Sequence, residues 1–96
     1  MKMLMIVCPE GREEEVRRLI ARHEVHAYSE MRDVAGEGET GLHMGNRVFP
    51  GNSAIIFTVV PAEKKQELLA ALREYAKSLY PSEGMRAFVL PVEEMV

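Results

Sequence analysis

The side chains that could do chemistry gather in one stretch, GEGETGLHMGNRVFPGN, residues 36 to 52. It holds five of the chain's seven glycines, one histidine and two asparagines. Glycines let backbone N–H groups approach a phosphate, so a nucleotide cradle is the first chemistry to test. Gly36, Gly38 and Gly41 lie between two strand-like segments, not between a strand and a helix. The dinucleotide fingerprint needs a helix N-terminus to receive the pyrophosphate, and the phosphate-loop motif needs a lysine followed by serine or threonine. Neither is present. The plain alternative is a hairpin tip whose glycines take positive φ. Yet the connection, residues 35 to 52, is much longer than the usual hairpin loop of about two to five residues. Long ordered loops in small domains are usually functional.

His43 sits near the middle of this loop and can ligate a metal or hydrogen-bond a ligand. Local packing or hydrogen bonding is the commoner role of such a histidine. His23 and His26 form H-x-x-H, but across a helix end into a strand and with no third ligand at fixed spacing. The plainer roles are a histidine at a helix C-terminus and an exposed strand histidine. Cys8 lies in an apolar run with nothing basic beside it, which suits a small core residue better than a nucleophile. No Ser/His/Asp, paired-carboxylate or zinc-hydrolase pattern occurs, so no enzyme is nominated.

The elements that must position the loop follow from hydrophobic pattern. KMLMIVC, residues 2 to 8, is a short continuous apolar run that reads as a buried strand. In the following helix Val16, Leu19, Ile20 and His23 share one face, and Glu13, Glu14 and Glu15 suit the first turn. Residues 25 to 34 alternate as a strand with one polar face, with Val25, Ala27, Ser29 and Met31 on one side. SAIIFTVV, residues 53 to 60, is apolar on both faces and predicts a central strand. A long helix follows Pro61 up to Tyr80, with Leu68, Leu72, Tyr75, Ala76 and Leu79 as its stripe. MRAFVLPV, residues 85 to 92, is a last strand. The order β-α-β-β-α-β predicts an α+β, ferredoxin-like fold: a four-stranded antiparallel sheet with two helices on one face. Both central strands are apolar on both faces, so the second face should be covered by a homo-oligomer.

Composition sets the outer bounds. Ninety-six residues, 1-96, fit one small domain. A net charge of −3 gives no attraction to nucleic acid or anionic membrane. The N-terminal apolar run is too short for a secretory core or a membrane span, so no direct membrane insertion is expected. A single cysteine rules out an internal disulfide and suits a cytoplasmic setting.

Three segments resemble the PII signal-transduction superfamily. MKMLMIVCPEGREEEVRRLIARHEV resembles the family's opening strand and helix. DVAGEGETGLHMG, residues 33 to 45, resembles the V-x-G-x-G-x-x-x-G text that opens the family's T-loop. GMRAFVLPVEEMV, residues 84 to 96, resembles the G-K-I-F-V-x-P-V-E text that closes the domain. The resemblance implies a homotrimer with ligand clefts between subunits, bounded by the T-loop base, the loop before the last strand and the C-terminus. It implies adenine nucleotides in those clefts and a T-loop that docks on a partner. On these positions Gly36, Gly38, Gly41, His43 and Gly45 belong to the loop, and Gly84 and Arg86 face the same cleft, with Arg86 on an anionic group. Arg47 is a second anion candidate.

Departures from the family text carry their own expectations. No tyrosine lies between Tyr28 and Tyr75, so tyrosine modification of the shortened loop is not expected. The family's T-G-x-x-G-D-G-K loop reads SLYPSEGMR here. Gly84 survives, Arg86 stands where the lysine would be, and Glu83 adds a negative charge. The family's basic C-terminal tail is not seen in the residues up to Val96. The expected role is a PII-like sensor that binds a small effector and presents residues 35-52 to a transporter or an enzyme. The same fold and trimer occur in the CutA family, linked to divalent-metal tolerance, although its signature motifs are not visible. Cys8, His43 and several methionines keep that metal-linked alternative open, with His43 as the metal candidate. An assembly module without a ligand is the third reading.

Overall fold

The structure, a computed structural model, describes residues 1–35, 52–81 and 83–96. Its elements run β1 (Lys2–Pro9), α1 (Glu13–Arg22), β2 (Ser29–Val34), β3 (Ser53–Val60), α2 (Lys65–Ala76) and β4 (Arg86–Pro91). A turn of 3-10 helix, Ala62–Lys64, leads into α2. The sheet order is β2-β3-β1-β4, and every neighbouring pair is antiparallel. This is the expected βαββαβ ferredoxin-like fold, with the two most apolar strands in the centre.

Side chains alternate across a strand with a period of two, so register decides which residues meet. Leu4, Ile6 and Cys8 of β1 lie opposite Thr58, Ile56 and Ala54 of β3 on the helix-covered face. They close a core with Val16, Leu19 and Ile20 of α1 and Leu68 and Leu72 of α2. The odd-numbered neighbours form the other face. Met5 lies between Phe57 and Phe88, Met3 between Val59 and Leu90, and Val7 between Ile55 and Arg86. Among the described residues no helix covers these rows, and Phe88 is 50% exposed and Met31 49%.

Two element ends differ from the pattern reading. Residues 25 to 28 are not strand; β2 begins at Ser29. The cause is the way α1 stops. Glu24 donates its N–H to the Ala21 carbonyl and Val25 donates to the Ile20 carbonyl, at 2.9 and 3.0 Å. Glu24 has φ 69°. This is a Schellman closure, in which a left-handed residue lets the next apolar residue fold back on the helix. Val25 is therefore buried against Ile20 instead of alternating along a strand. The second helix stops at Ala76, four residues before Tyr80, and the chain continues in turns in which Ser78 and Leu79 donate to Tyr75 and Ala76.

Glutamate is an unusual occupant of the left-handed position. Such a conformation costs an L-residue roughly 1–2 kcal/mol, a strain that glycine escapes. The Glu24–Lys64 ion pair, at 3.4 Å with Glu24 83% exposed, offsets little of that. Glu24→Gly should raise stability by about 1 kcal/mol, read as a higher urea midpoint with an unchanged slope.

Candidate functional site

The antiparallel order brings four chain ends to one edge of the sheet. These are the end of β1 at Pro9, the end of β2 at Val34, the start of β3 at Ser53 and the start of β4 at Arg86. Pro9 lies opposite Ser53, and Val34 lies opposite Ser53 from the other side. Both stems of the glycine-rich loop therefore leave the sheet here, beside the β1–α1 turn and the loop before β4.

The outgoing stem is shaped by a bulge. The β2–β3 register shifts between Met31 and Val34, and Asp33 within it has φ 58°. Aspartate tolerates that region better than most residues. Bulges bend a strand and re-aim it, and they recur beside functional sites. Glu10 fixes both stems. Its carboxylate accepts the Asp33 N–H at 2.5 Å, and its own N–H donates to the Asn52 carbonyl at 3.1 Å. At the next residue, Gly11 takes φ 102° to turn the chain into α1. The buried carboxylate of Glu13 accepts the Gly11 N–H and pairs with Arg32 at 2.9 Å. Burial pushes the Glu13 carboxyl up, but the backbone N–H groups of Glu13 and Gly11, with Arg32 and Arg17, hold it below the ordinary range.

The loop before β4 is held by the same turn. Arg12 donates Nε to Glu83 Oε2 at 2.9 Å and an Nη to Glu83 Oε1 at 3.0 Å, a bidentate pair. Glu83 also accepts the Tyr80 N–H at 2.9 Å, and the Arg12 guanidinium lies 5.7 Å from the Tyr80 ring centre. Arg12 further meets Glu15, which accepts the Tyr75 hydroxyl. The negative charge that SLYPSEGMR carries is thus already neutralised. Arg12 and Glu83 are 71 positions apart, and no sequence pattern pairs them, so only the fold reveals the contact.

Of the residues named from sequence, Gly84 and Arg86 stand at this edge. Gly84 has open space where a Cβ would be, so close packing does not demand a glycine there. Arg86 is exposed, and the only hydrogen bond of its side chain among the described residues is to the Met85 carbonyl, at 3.4 Å. Register places it opposite Val7, on the face that no helix covers. Gly36, Gly38, Gly41, His43, Gly45 and Arg47 lie outside the described residues. The far end of β4 is at the other end of the sheet, where Val92 donates to the Met1 carbonyl. Within one chain only two of the three expected cleft walls converge.

Of the remaining candidates, His23 has a structural partner and Cys8 is a core residue. His23 Nδ1 lies 2.6 Å from Glu67 Oε2 and ties α1 to α2. Cys8 is 1% exposed, and burial pushes its thiol up to about 11. Among the described residues no group of His, Cys, Asp and Glu is arranged to hold a metal. Among them, too, no helix is long and apolar enough to cross a membrane.

Arg12, then the Tyr80 N–H, hold the Glu83 carboxyl below its ordinary value of 4.5. A depressed carboxyl stabilises the fold above its unfolded value, and that contribution is lost as pH falls through the folded value. Glu83→Gln should lower stability at pH 7 and flatten the stability profile below about pH 4.5, measured by urea unfolding at stepped pH.

Comparison with known proteins agrees with this geometry. No curated protein sequence matches the chain. Among solved structures, CPII, a nitrogen regulatory PII-like protein from Thiomonas intermedia K12 bound to ADP, AMP and bicarbonate, superposes with a TM-score of 0.69 at 19% identity. That match covers 99% of this chain and 94% of CPII. A putative PII-like signaling protein from Thermus thermophilus gives a TM-score of 0.66 at 22% identity, over 92% of this chain and 81% of its own. The family model for nitrogen regulatory protein P-II matches residues 1–96. With its βαββαβ sheet and with its loop stems and Gly84–Arg86 at one sheet edge, the chain belongs to the P-II family of regulatory proteins.

Proposed function

We propose that this PII-like regulatory protein assembles as a homotrimer through its helix-free sheet face. It binds an adenine nucleotide in clefts between subunits and presents residues 35–52 to a partner protein, a transporter or an enzyme. The observation that carries the reading is the position of Arg86. It lies on the face that a second copy would cover and at the edge from which both loop stems emerge. A guanidinium without an ion-pair partner among the described residues, beside a subunit boundary, suits a phosphate. The cleft is completed only when another chain supplies its third wall.

The similar protein CPII is bound to ADP, AMP and bicarbonate. The loop before β4 here supports the same class of ligand with a different balance of forces. It has one glycine where the family text has three, so it offers a phosphate less of a backbone nest. The Arg12–Glu83 pair removes the repulsion that a bare glutamate would bring. Recognition then rests more on arginine charge than on backbone N–H groups. The divalent-metal reading draws no support from the described residues, where His23 is engaged by Glu67.

Titration calorimetry with ADP, AMP and ATP, each with and without bicarbonate, tests the reading. ADP or AMP should give saturable heat. Arg86→Ala should weaken the affinity about tenfold or more, since a charged hydrogen bond contributes roughly 1.5–3 kcal/mol. Absence of heat with every nucleotide, on a protein shown to be assembled, would contradict it.

A further inference from the structure

The short turn between β1 and α1 contacts both loops of the proposed site. Glu10 holds the stems of residues 35–52 through Asp33 and Asn52. Arg12 grips the loop before β4 through Glu83, at 2.9 and 3.0 Å. The two residues are separated only by Gly11, whose backbone is fixed at φ 102° and whose N–H is taken by Glu13. Arg12 N–H also closes the turn on the Pro9 carbonyl at 2.9 Å. A displacement at Arg12 therefore has few soft torsions in which to dissipate before it reaches Glu10.

We infer that Glu10 and Arg12 are positioning residues that couple the two loops. The state of the Tyr80–Gly84 loop sets the state of the stems at Asp33 and Asn52, and the reverse. The warrant is a contiguous chain of hydrogen bonds: Tyr80 N–H to Glu83, Glu83 to Arg12, the turn, then Glu10 to both stems. Coupling free energy is reciprocal, so a ligand that engages the Gly84–Arg86 side would bias the loop on the other side of the turn. The biological meaning rests on the proposed function above, but the coupling itself does not require a nucleotide.

The ion pairs elsewhere on the surface lack this arrangement. Lys77–Glu74 and Arg18–Glu14 join residues of the same or adjoining turns. His23–Glu67 joins the two helices but reaches neither loop. Only the Pro9–Arg12 turn, among the described residues, has hydrogen bonds to both.

Amide hydrogen exchange followed residue by residue tests the coupling in the unliganded full chain. Glu83→Gln should speed exchange of the Asp33 and Glu10 amides by roughly two- to thirtyfold, the range of contiguous networks. The core amides of Ile6 and Ile56 should not change. The charge-reversed pair Arg12→Glu with Glu83→Arg should restore slow exchange at Asp33. Faster exchange confined to Tyr80–Gly84, or a uniform rise that includes Ile6 and Ile56, would overturn the inference. If Glu83→Gln does not fold, Glu83→Asp is read by the same criteria, because it shortens the grip and keeps the charge. Nucleotide calorimetry is a separate arm. Failure of ADP to bind would count against the proposed function, whereas additive effects of Glu10→Gln and Glu83→Gln on Asp33 exchange would overturn the coupling.

Discussion

Helices cover one face of this sheet, and its central strands are apolar on both. Leu4, Ile6 and Cys8 satisfy one side of β1 by packing under α1 and α2. Met3, Met5 and Val7 on the other side meet, among the described residues, the neighbouring strands, with Phe57, Phe88, Ile55, Val59 and Leu90 around them. Each Å² of such surface left in water forgoes about 25 cal/mol. A domain this small has little core to spare, so the face is a strong driving force for self-association. The proposed cleft follows from the same constraint, because Arg86 stands at the rim of that face.

A second arrangement organises the functional edge. Antiparallel order gathers the loop stems, the β1–α1 turn and the start of β4, and side-chain hydrogen bonds then fix them together. Glu10, Arg12 and Glu83 all carry charge, yet none is left to solvent alone: each holds a backbone N–H in place or satisfies a partner. Left-handed φ at Gly11 and Asp33 marks where the backbone is bent to make that arrangement. Among the described residues, the proposed site is therefore bordered by turns pinned by carboxylates.

The sheet was legible because burial imposes its period on the sequence. Residues 53 to 60 are apolar on both faces, and so is the first strand, which is why the central pair could be named from pattern alone. The glycine text of residues 36 to 45 and the FVLPVEE ending pointed to the same family that the full-length match shows. Other features were not legible, for physical reasons. Val25 looked like the first residue of an alternating strand, because a Schellman closure with glutamate at the left-handed position leaves no glycine as a marker. Glu83 looked like an added repulsive charge, because its neutralising partner Arg12 is distant in sequence. Asp33 and Glu10 carried no sign of their contact, since a bulge and a turn meet only in the folded sheet.

The central claim is that copies of this chain pack their helix-free faces around a three-fold axis and so create the clefts. Sedimentation equilibrium of the full chain over a wide concentration range tests it most directly. The expected result is a single species of three times the 10.8 kDa chain mass that persists on dilution. A 10.8 kDa monomer at every concentration would contradict it, because the apolar face would then stand in water with nothing to cover it.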